Sequence, residues 1–229
     1  MEWSVRRINR LLKLTKDQRY LEVGVGEGKT FHCIKAREKT AVGARFLFTF
    51  GHQTDSSYYF EETSDDFFGS EFVSKNLLDV IFLDGLHEYS QTYRDFLNAL
   101  KILAPGGFIL IDNVYPVDDF SFNSDPQEAI LGRKLSIARK ELQDFSWNGD
   151  VFKAIALIHD FHPDVEYATF WDRRTQAQTV LWCTSNKVAK PHYSDISAIS
   201  NLSYETLTKD LHLLKPIQEK AIFEVLDHL

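Results

Sequence analysis

The chain has 229 residues, 44% of them hydrophobic and 26% charged. This is an ordinary globular composition, long enough for one large domain with a substantial core. The formal net charge of -7 and pI near 5.6 disfavour a phosphate-backbone partner, so neither DNA nor RNA is expected as substrate. The densest basic stretch, Arg133, Lys134, Arg139 and Lys140, reads as the solvated face of a helix.

No run of about 18 apolar residues is available for a membrane span. The opening Met-Glu-Trp-Ser, followed by Arg6, Arg7 and Arg10, has no apolar secretory region. Cys33 and Cys183 make no CxxC pair. A soluble cytoplasmic protein with no membrane partner is expected.

Residues 4 to 15 place Val5, Ile8, Leu11 and Leu12 at helical spacing with basic residues between them, an amphipathic helix over an edge of the core. Tyr20, Leu21, Val23 and Val25 then form a β-favouring run. The run breaks into Gly24, Gly26 and Gly28 just before residues 28 to 38, which read as helix. Glycines at such a junction permit φ > 0 and close approach to a ligand. The helix start would offer free N–H groups and the positive end of its dipole to an anion. Glu22 is expected to point to the ligand side as the strand ends. The pattern Glu-x-Gly-x-Gly-x-Gly differs from the dinucleotide fingerprint GxGxxG, whose third glycine comes one place later.

Residues 41 to 50 read as a second strand and residues 58 to 60 as a third, followed by Ser64-Asp65-Asp66-Phe67-Phe68. Residues 77 to 84 form a near-continuous apolar run ending on an acid, as in a strand buried on both faces of a parallel sheet. Residues 89 to 103 carry Tyr93, Phe96, Leu97, Leu100 and Leu103 at helical intervals, and Ala104-Pro105-Gly106-Gly107 stops that helix. Residues 108 to 111 are a fifth strand, ended by Asp112 and Asn113. Residues 114 to 127, with Pro116 and Pro126, read as a loop or lid. Residues 128 to 143 and 149 to 160 read as helices, the second capped by Asn148 or Asp150. His159 and His162, on either side of Phe161, look structural. Residues 165 to 171 and 179 to 183 would pair as a final antiparallel hairpin, with short amphipathic segments (204 to 214, 217 to 229) beyond them.

Strands alternating with helices predict an α/β fold: a doubly wound, seven-stranded, mostly parallel sheet with an antiparallel final hairpin. Its ligand would lie beyond the carboxyl ends of the strands. The expected division is an N-terminal helix (1–18), the main domain (19–184) and a helical C-terminal extension (185–229). Glu22, Asp84, Asp112 and Asn113 would stand on the ligand edge. Asp84 and Asp112-Asn113 come from neighbouring strands, and two carboxylates with an amide oxygen make an oxygen-rich site suited to Mg²⁺. Such an ion could hold two substrate hydroxyls and favour deprotonation of one. The alternative is that these are plain cap and turn residues. His87, three residues past Asp84, could accept a proton.

The glycine motif resembles the first motif of the class I S-adenosylmethionine-dependent methyltransferases. Ser64-Asp65-Asp66-Phe67-Phe68, Phe82-Leu83-Asp84-Gly85-x-His87-x-Tyr89, Pro105-Gly106-Gly107 and Trp147-x-Gly149-Asp150-Val151-Phe152-Lys153-Ala154 are similar to a bacterial group among them. That group, methyltransferase domain 24-like, includes sugar O-methyltransferases of glycan and antibiotic clusters, and the likeness covers roughly residues 19 to 183. It implies a Rossmann-like fold and S-adenosylmethionine as cofactor. Glu22, Gly24, Gly26 and Gly28 would border its methionine and ribose portions, Ser64 and Asp65 its adenine, with Asp84 also at the cofactor. It further implies Asp84, Asp112 and Asn113 as Mg²⁺ ligands, with His87 as base beside Asp84.

The expected activity is O-methylation of a hydroxyl on a sugar or other small molecule, with or without a divalent cation. The chain departs from the group at Val42-Gly43-Ala44-Arg45, where an acid usually grips the ribose hydroxyls. Losing that charge-assisted hydrogen bond costs about 1.5–3 kcal/mol, so cofactor binding is weakened or Arg45 marks another ligand. The competing reading is a degenerate member serving as a binding or scaffold protein. The acceptor is open among a sugar or glycan, a small diol and a protein side chain, and a homo-oligomer is equally open.

Overall fold

The computed structural model describes residues 2–49, 56–138, 147–172, 177–185, 190–193 and 195–229. Its strands, in chain order, are β1 (Arg19–Val23), β2 (Glu38–Val42), β3 (Ser57–Phe60), β4 (Leu78–Leu83), β5 (Leu103–Ile111), β6 (Val165–Phe170), β7 (Gln178–Cys183) and β8 (Pro216–Ile217). Its helices are α1 (Glu2–Leu14), α2 (Ser64–Phe68), α3 (Glu71–Lys75), α4 (Tyr89–Ile102), α5 (Pro126–Ala138), α6 (Phe152–Phe161), α7 (Ile196–Ser200), α8 (Tyr204–Lys209) and α9 (Glu219–Leu226).

The strands join in the order β3-β2-β1-β4-β5-β7-β6-β8. Pairing is parallel from β3 to β5 and antiparallel on both sides of β7. The expected mostly parallel sheet with its final hairpin is therefore observed. Alternation along the strands divides the core in two. Leu21, Val23, Ile81, Leu83, Ile109 and Ile111 pack with Phe96 and Ala99 of α4 and Phe152 and Ile155 of α6. Tyr20, Val80, Phe82, Leu110 and Val180 pack on the other face with Ile8, Leu11 and Leu12 of α1 and Ile222, Phe223 and Leu226 of α9.

Several expectations need correction. Among the described residues the sheet has eight strands rather than seven. The added β8 pairs parallel with β6 at only two positions, too few for a periodic sequence signal, and is aimed there by the left-handed turn at Lys215 (φ 46). The helix expected over residues 28 to 38 is only a 3-10 turn, Phe31–Cys33. Gly28 at φ 71 cannot start an α-helix, and Thr30, His32 and Cys33 favour one weakly. Phe31 and Ile34 are buried as plugs instead, and Lys39 Nζ donates to the Phe31 carbonyl at 3.1 Å.

The second strand ends at Val42 rather than near residue 50. Phe46 and Phe48, read as strand residues, pack in a loop against Tyr59 and His32, with ring centroids 4.8–6.4 Å apart. Arg133 lies buried, its Nη2 donating to both carboxylate oxygens of Asp118 at 3.3 and 3.1 Å, rather than on a solvated helix face. Arg139 and Lys140 fall outside the described residues.

Asp150 caps a different helix from the one expected: its Oδ1 accepts from the backbone N–H of Tyr89, at the start of α4, at 2.9 Å. His159 and His162 are engaged with the hydroxyls of Tyr167 and Tyr93. Cys33 and Cys183 are free and exposed. No helix among the described residues is long and apolar enough to cross a membrane.

Candidate active site

β1 ends where the backbone of Gly24 meets the carboxyl end of β4. A Cβ at Gly24 would stand 1.9 Å from the carbonyl oxygen of Asp84, and φ is +93°. Only glycine lets these two strand ends come so close. The turn stays on the sheet, since Gly24 and Val25 N–H groups both donate to the Val42 carbonyl, at 2.9 and 3.2 Å.

Above these ends lies a cavity of about 390 Å³. Gly24 and Gly26 form one side, the Val42-Gly43-Ala44-Arg45 turn another, Thr63, Ser64 and Asp65 a third, and Asp84, Gly85 and Leu86 a fourth. Gln91 and Asp95 reach it from α4. Thr63 caps α2 by accepting from Asp66 N–H, which sets Ser64 and Asp65 at the wall. Five expected cofactor residues, Gly24, Gly26, Ser64, Asp65 and Asp84, thus line one space.

Glu22 and Gly28 stand outside that lining. Glu22 is buried on the α1 side of the sheet and accepts from the Tyr20 hydroxyl at 2.6 Å. Burial pushes its carboxyl up to about 8, opposed by the tyrosine hydrogen bond and reinforced by the charge of Asp84. Gly28 faces the aromatic loop: a Cβ there would meet the His32 ring at 2.7 Å and Phe48 at 2.9 Å. Its glycine serves packing, and the expected helix N-terminus for an anion is not formed.

At the next edge of the rim, Asn113 joins Asp84 to His87. Its Nδ2 donates to Asp84 Oδ1 at 2.9 Å and lies 2.9 Å from His87 Nε2. The backbone of Asn113 sits at φ 60, a conformation asparagine tolerates better than most residues. The His87 ring packs against Trp147 with centroids 4.4 Å apart and ring planes tilted by 34°. Trp147 is fixed by donating from Nε1 to the Asn123 carbonyl at 2.7 Å. Asn148 Nδ2 contacts Asn113 Oδ1 at 3.4 Å, leaving Asn148 Oδ1 and His87 Nδ1 as buried atoms without a hydrogen-bond partner.

Asp112 turns the other way. Its Oδ1 accepts from Asn113 N–H at 2.8 Å and its Oδ2 from Gln178 Nε2 at 3.1 Å. Burial, then the Asp84 charge, pushes its carboxyl up to about 6. The proposed ion ligands therefore do not form an oxygen cage as they stand: Asn113 presents its NH₂ to Asp84, and Asp112 is taken by Gln178. Among the described residues no cluster of three or more His, Cys, Asp or Glu side chains forms a metal site.

Sequence reasoning left out Trp147, Asn148, Gln91 and Asp95. The Trp147-x-Gly149-Asp150 motif signalled the first pair. Nothing signalled Asp95, which precedes Phe96 in an apolar helical pattern.

A family model described as methyltransferase domain matches residues 21–114. No curated protein sequence matches the chain. Solved structures do match in shape. Cofactor-bound Rv0187 from MTB is 13% identical, with 81% of this chain and 82% of that one covered and a TM-score of 0.54. The O-methyltransferase TomG from Streptomyces achromogenes, involved in tomaymycin synthesis and solved with SAM, is 13% identical, with 81% of each chain covered and a TM-score of 0.50. An O-methyltransferase from Bacillus cereus in complex with SAH is 12% identical, covering 79% and 80%, with a TM-score of 0.50.

Proposed function

We propose, for a chain whose residues 21–114 match a family model described as methyltransferase domain and whose sheet is Rossmann-like, that the cavity takes S-adenosylmethionine and that the protein O-methylates a hydroxyl of a sugar or other small molecule. The observation that carries this reading is the adjacency of two sites joined by Asp84. The glycine-walled cavity lies on one side of this acid, and His87, packed against an indole, lies on the other.

The cavity fits the cofactor by its cradle: Gly26, at φ +51°, and the Gly24 turn let backbone form the wall. Bound there, S-adenosylmethionine supplies an electrophilic methyl group on a sulfonium. The chain's own residues position the acceptor and move its proton. Asp84 accepts from Asn113 Nδ2 and so fixes which way the amide faces. The same NH₂ meets His87 Nε2, which makes that nitrogen an acceptor and puts the neutral ring's proton on Nδ1. A substrate hydroxyl that replaces Asn113 as donor would give its proton to Nε2 as its oxygen attacks in line. Rate would come chiefly from holding the reactants together.

A second reading, a non-catalytic binding or scaffold protein, is favoured by one observation. The Val42-Gly43-Ala44-Arg45 turn lines the cavity without a carboxylate at the end of β2. Calorimetric titration with S-adenosylhomocysteine, with and without Mg²⁺, separates the two. Heat is expected, and its absence in both conditions would overturn the enzyme reading. Equal binding in both conditions would remove only a requirement for the ion in cofactor binding.

A further inference from the structure

Besides Asp84, the cavity wall contains two acids of opposite character. Asp65, expected from sequence beside the adenine, has a half-exposed side chain whose Oδ1 accepts from Arg94 Nε at 3.0 Å. Asp95, from the crossover helix α4, is only 3% exposed. Gln91 Nε2, one turn earlier, donates to Asp95 Oδ1 at 2.9 Å and to Ser64 Oγ at 3.1 Å. The Ser64 hydroxyl lies near enough to favour the Asp95 carboxylate, against the burial that pushes this carboxyl up.

A carboxylate has about four acceptor positions, and these two donors use only part of that capacity. Asp95 Oδ2 faces Gly85 across the wall, 3.8 Å from where a Cβ would stand. A carboxylate this deeply buried at the cavity wall has acceptor capacity for a further donor. The side of the cavity near Ser64 is where the nucleobase end of the cofactor falls in the reading above, on which this inference rests. Of the cofactor's groups at that end, the 6-amino group is the N–H donor.

We propose that Asp95, and not Asp65, accepts from the 6-amino group of the bound cofactor, and that this contact makes the protein select adenine over a 6-oxo base. Ser64 and Gln91 hold the carboxylate in place. Asp65, at the solvent side of the wall, is held by Arg94 and, at 3.4 Å, by Gln91 Nε2.

The test compares affinities for S-adenosylhomocysteine and its 6-oxo analogue, S-inosylhomocysteine, by calorimetry at pH 8. The wild-type chain should prefer the amino form by at least about tenfold, since an oxo group would oppose the carboxylate oxygen. Asp95→Asn offers an NH₂ to the oxo group, so the preference should collapse or invert. Asp65→Asn should keep the wild-type ratio. A wild-type ratio in Asp95→Asn, or no discrimination by the wild-type chain, would overturn the proposal.

A purely structural Asp95 would lower the thermal midpoint of Asp95→Asn while leaving the ratio alone, which also overturns it. Should that variant not fold, the wild-type chain decides with N6,N6-dimethyl-S-adenosylhomocysteine, which lacks both N–H donors and should bind at least about tenfold more weakly. Undiminished affinity overturns the proposal. Absence of any heat with S-adenosylhomocysteine itself would instead sink the underlying cofactor reading, a result distinct from lost discrimination.

Discussion

Glu22 keeps its proton near neutral pH because ionising it would leave a charge beneath β1 with only Tyr20 as a local donor. Its folded pKa, about 8, lies above the ordinary carboxyl value of 4.5. Its contribution to stability is therefore complete below pH 4.5 and disappears as the pH climbs through 8. Over that window it lowers unfolding free energy by up to about 1.4 kcal/mol per pH unit. Asp112, raised to about 6, acts in the same direction at lower pH. Glu22→Gln should flatten the dependence between pH 6.5 and 8 in urea unfolding of the ligand-free chain, and an unchanged slope would refute this account. His87→Ala should slow turnover by about a hundredfold or more while S-adenosylhomocysteine affinity holds. Formation of S-adenosylhomocysteine over a panel of sugar and diol acceptors measures it, and an unaltered rate would remove His87 as base. Residue chemistry was only half legible in sequence. Glu22 and Asp95 both carry carboxylates near the rim, but which one borders the cavity depends on strand parity and helix rotation, where a step of one residue changes sides.

At the level of elements, the segment Trp147-Asn148-Gly149 acts as the back wall of His87. A Cβ on Gly149 would fall 1.7 Å from the His87 carbonyl oxygen, at a backbone φ of +62°. Gly149→Ala should therefore push the indole off the imidazole and cost at least about 2 kcal/mol through strain and displaced packing. A thermal midpoint and turnover both within error of wild type would contradict this contact. The strands β4 and β5 were readable because each is a dense apolar run ending in a polar residue, and β1 because its apolar run breaks into glycines. The segment after the glycine turn was not. Its residues have helix-like spacing but low helix preference, and Lys39 closes the carbonyls of the short turn from another element. The Phe46 and Phe48 pattern misled for a related reason: alternating aromatics satisfy a strand template, yet here they serve one aromatic cluster around a bend.

Across the whole molecule, both terminal regions feed into the site. Arg7, 1% exposed on α1, donates from Nε to Glu219 Oε2 and from Nη1 to Gln178 Oε1, each at 2.9 Å. Gln178 in turn donates to Asp112, whose neighbour Asn113 touches His87. Arg7→Met should cost about 3 kcal/mol by stranding these partners, while Arg6→Met, removing the half-exposed ion pair to the same Glu219, should cost under about 1 kcal/mol. Equal denaturation midpoints for the two variants would refute the asymmetry. Sequence showed the α1 stripe but not this link, because a buried arginine looks like any other basic residue between apolar positions. The same sheet also limits how copies of the chain could stack edge to edge. On the β8 side the outermost strand is two residues long and headed by a proline with no N–H to offer. On the other side Ser57–Phe60 provides four residues. An intermolecular sheet, and any aggregation it seeds, has its longer template on the β3 margin, where a lysine substitution would be the economical safeguard.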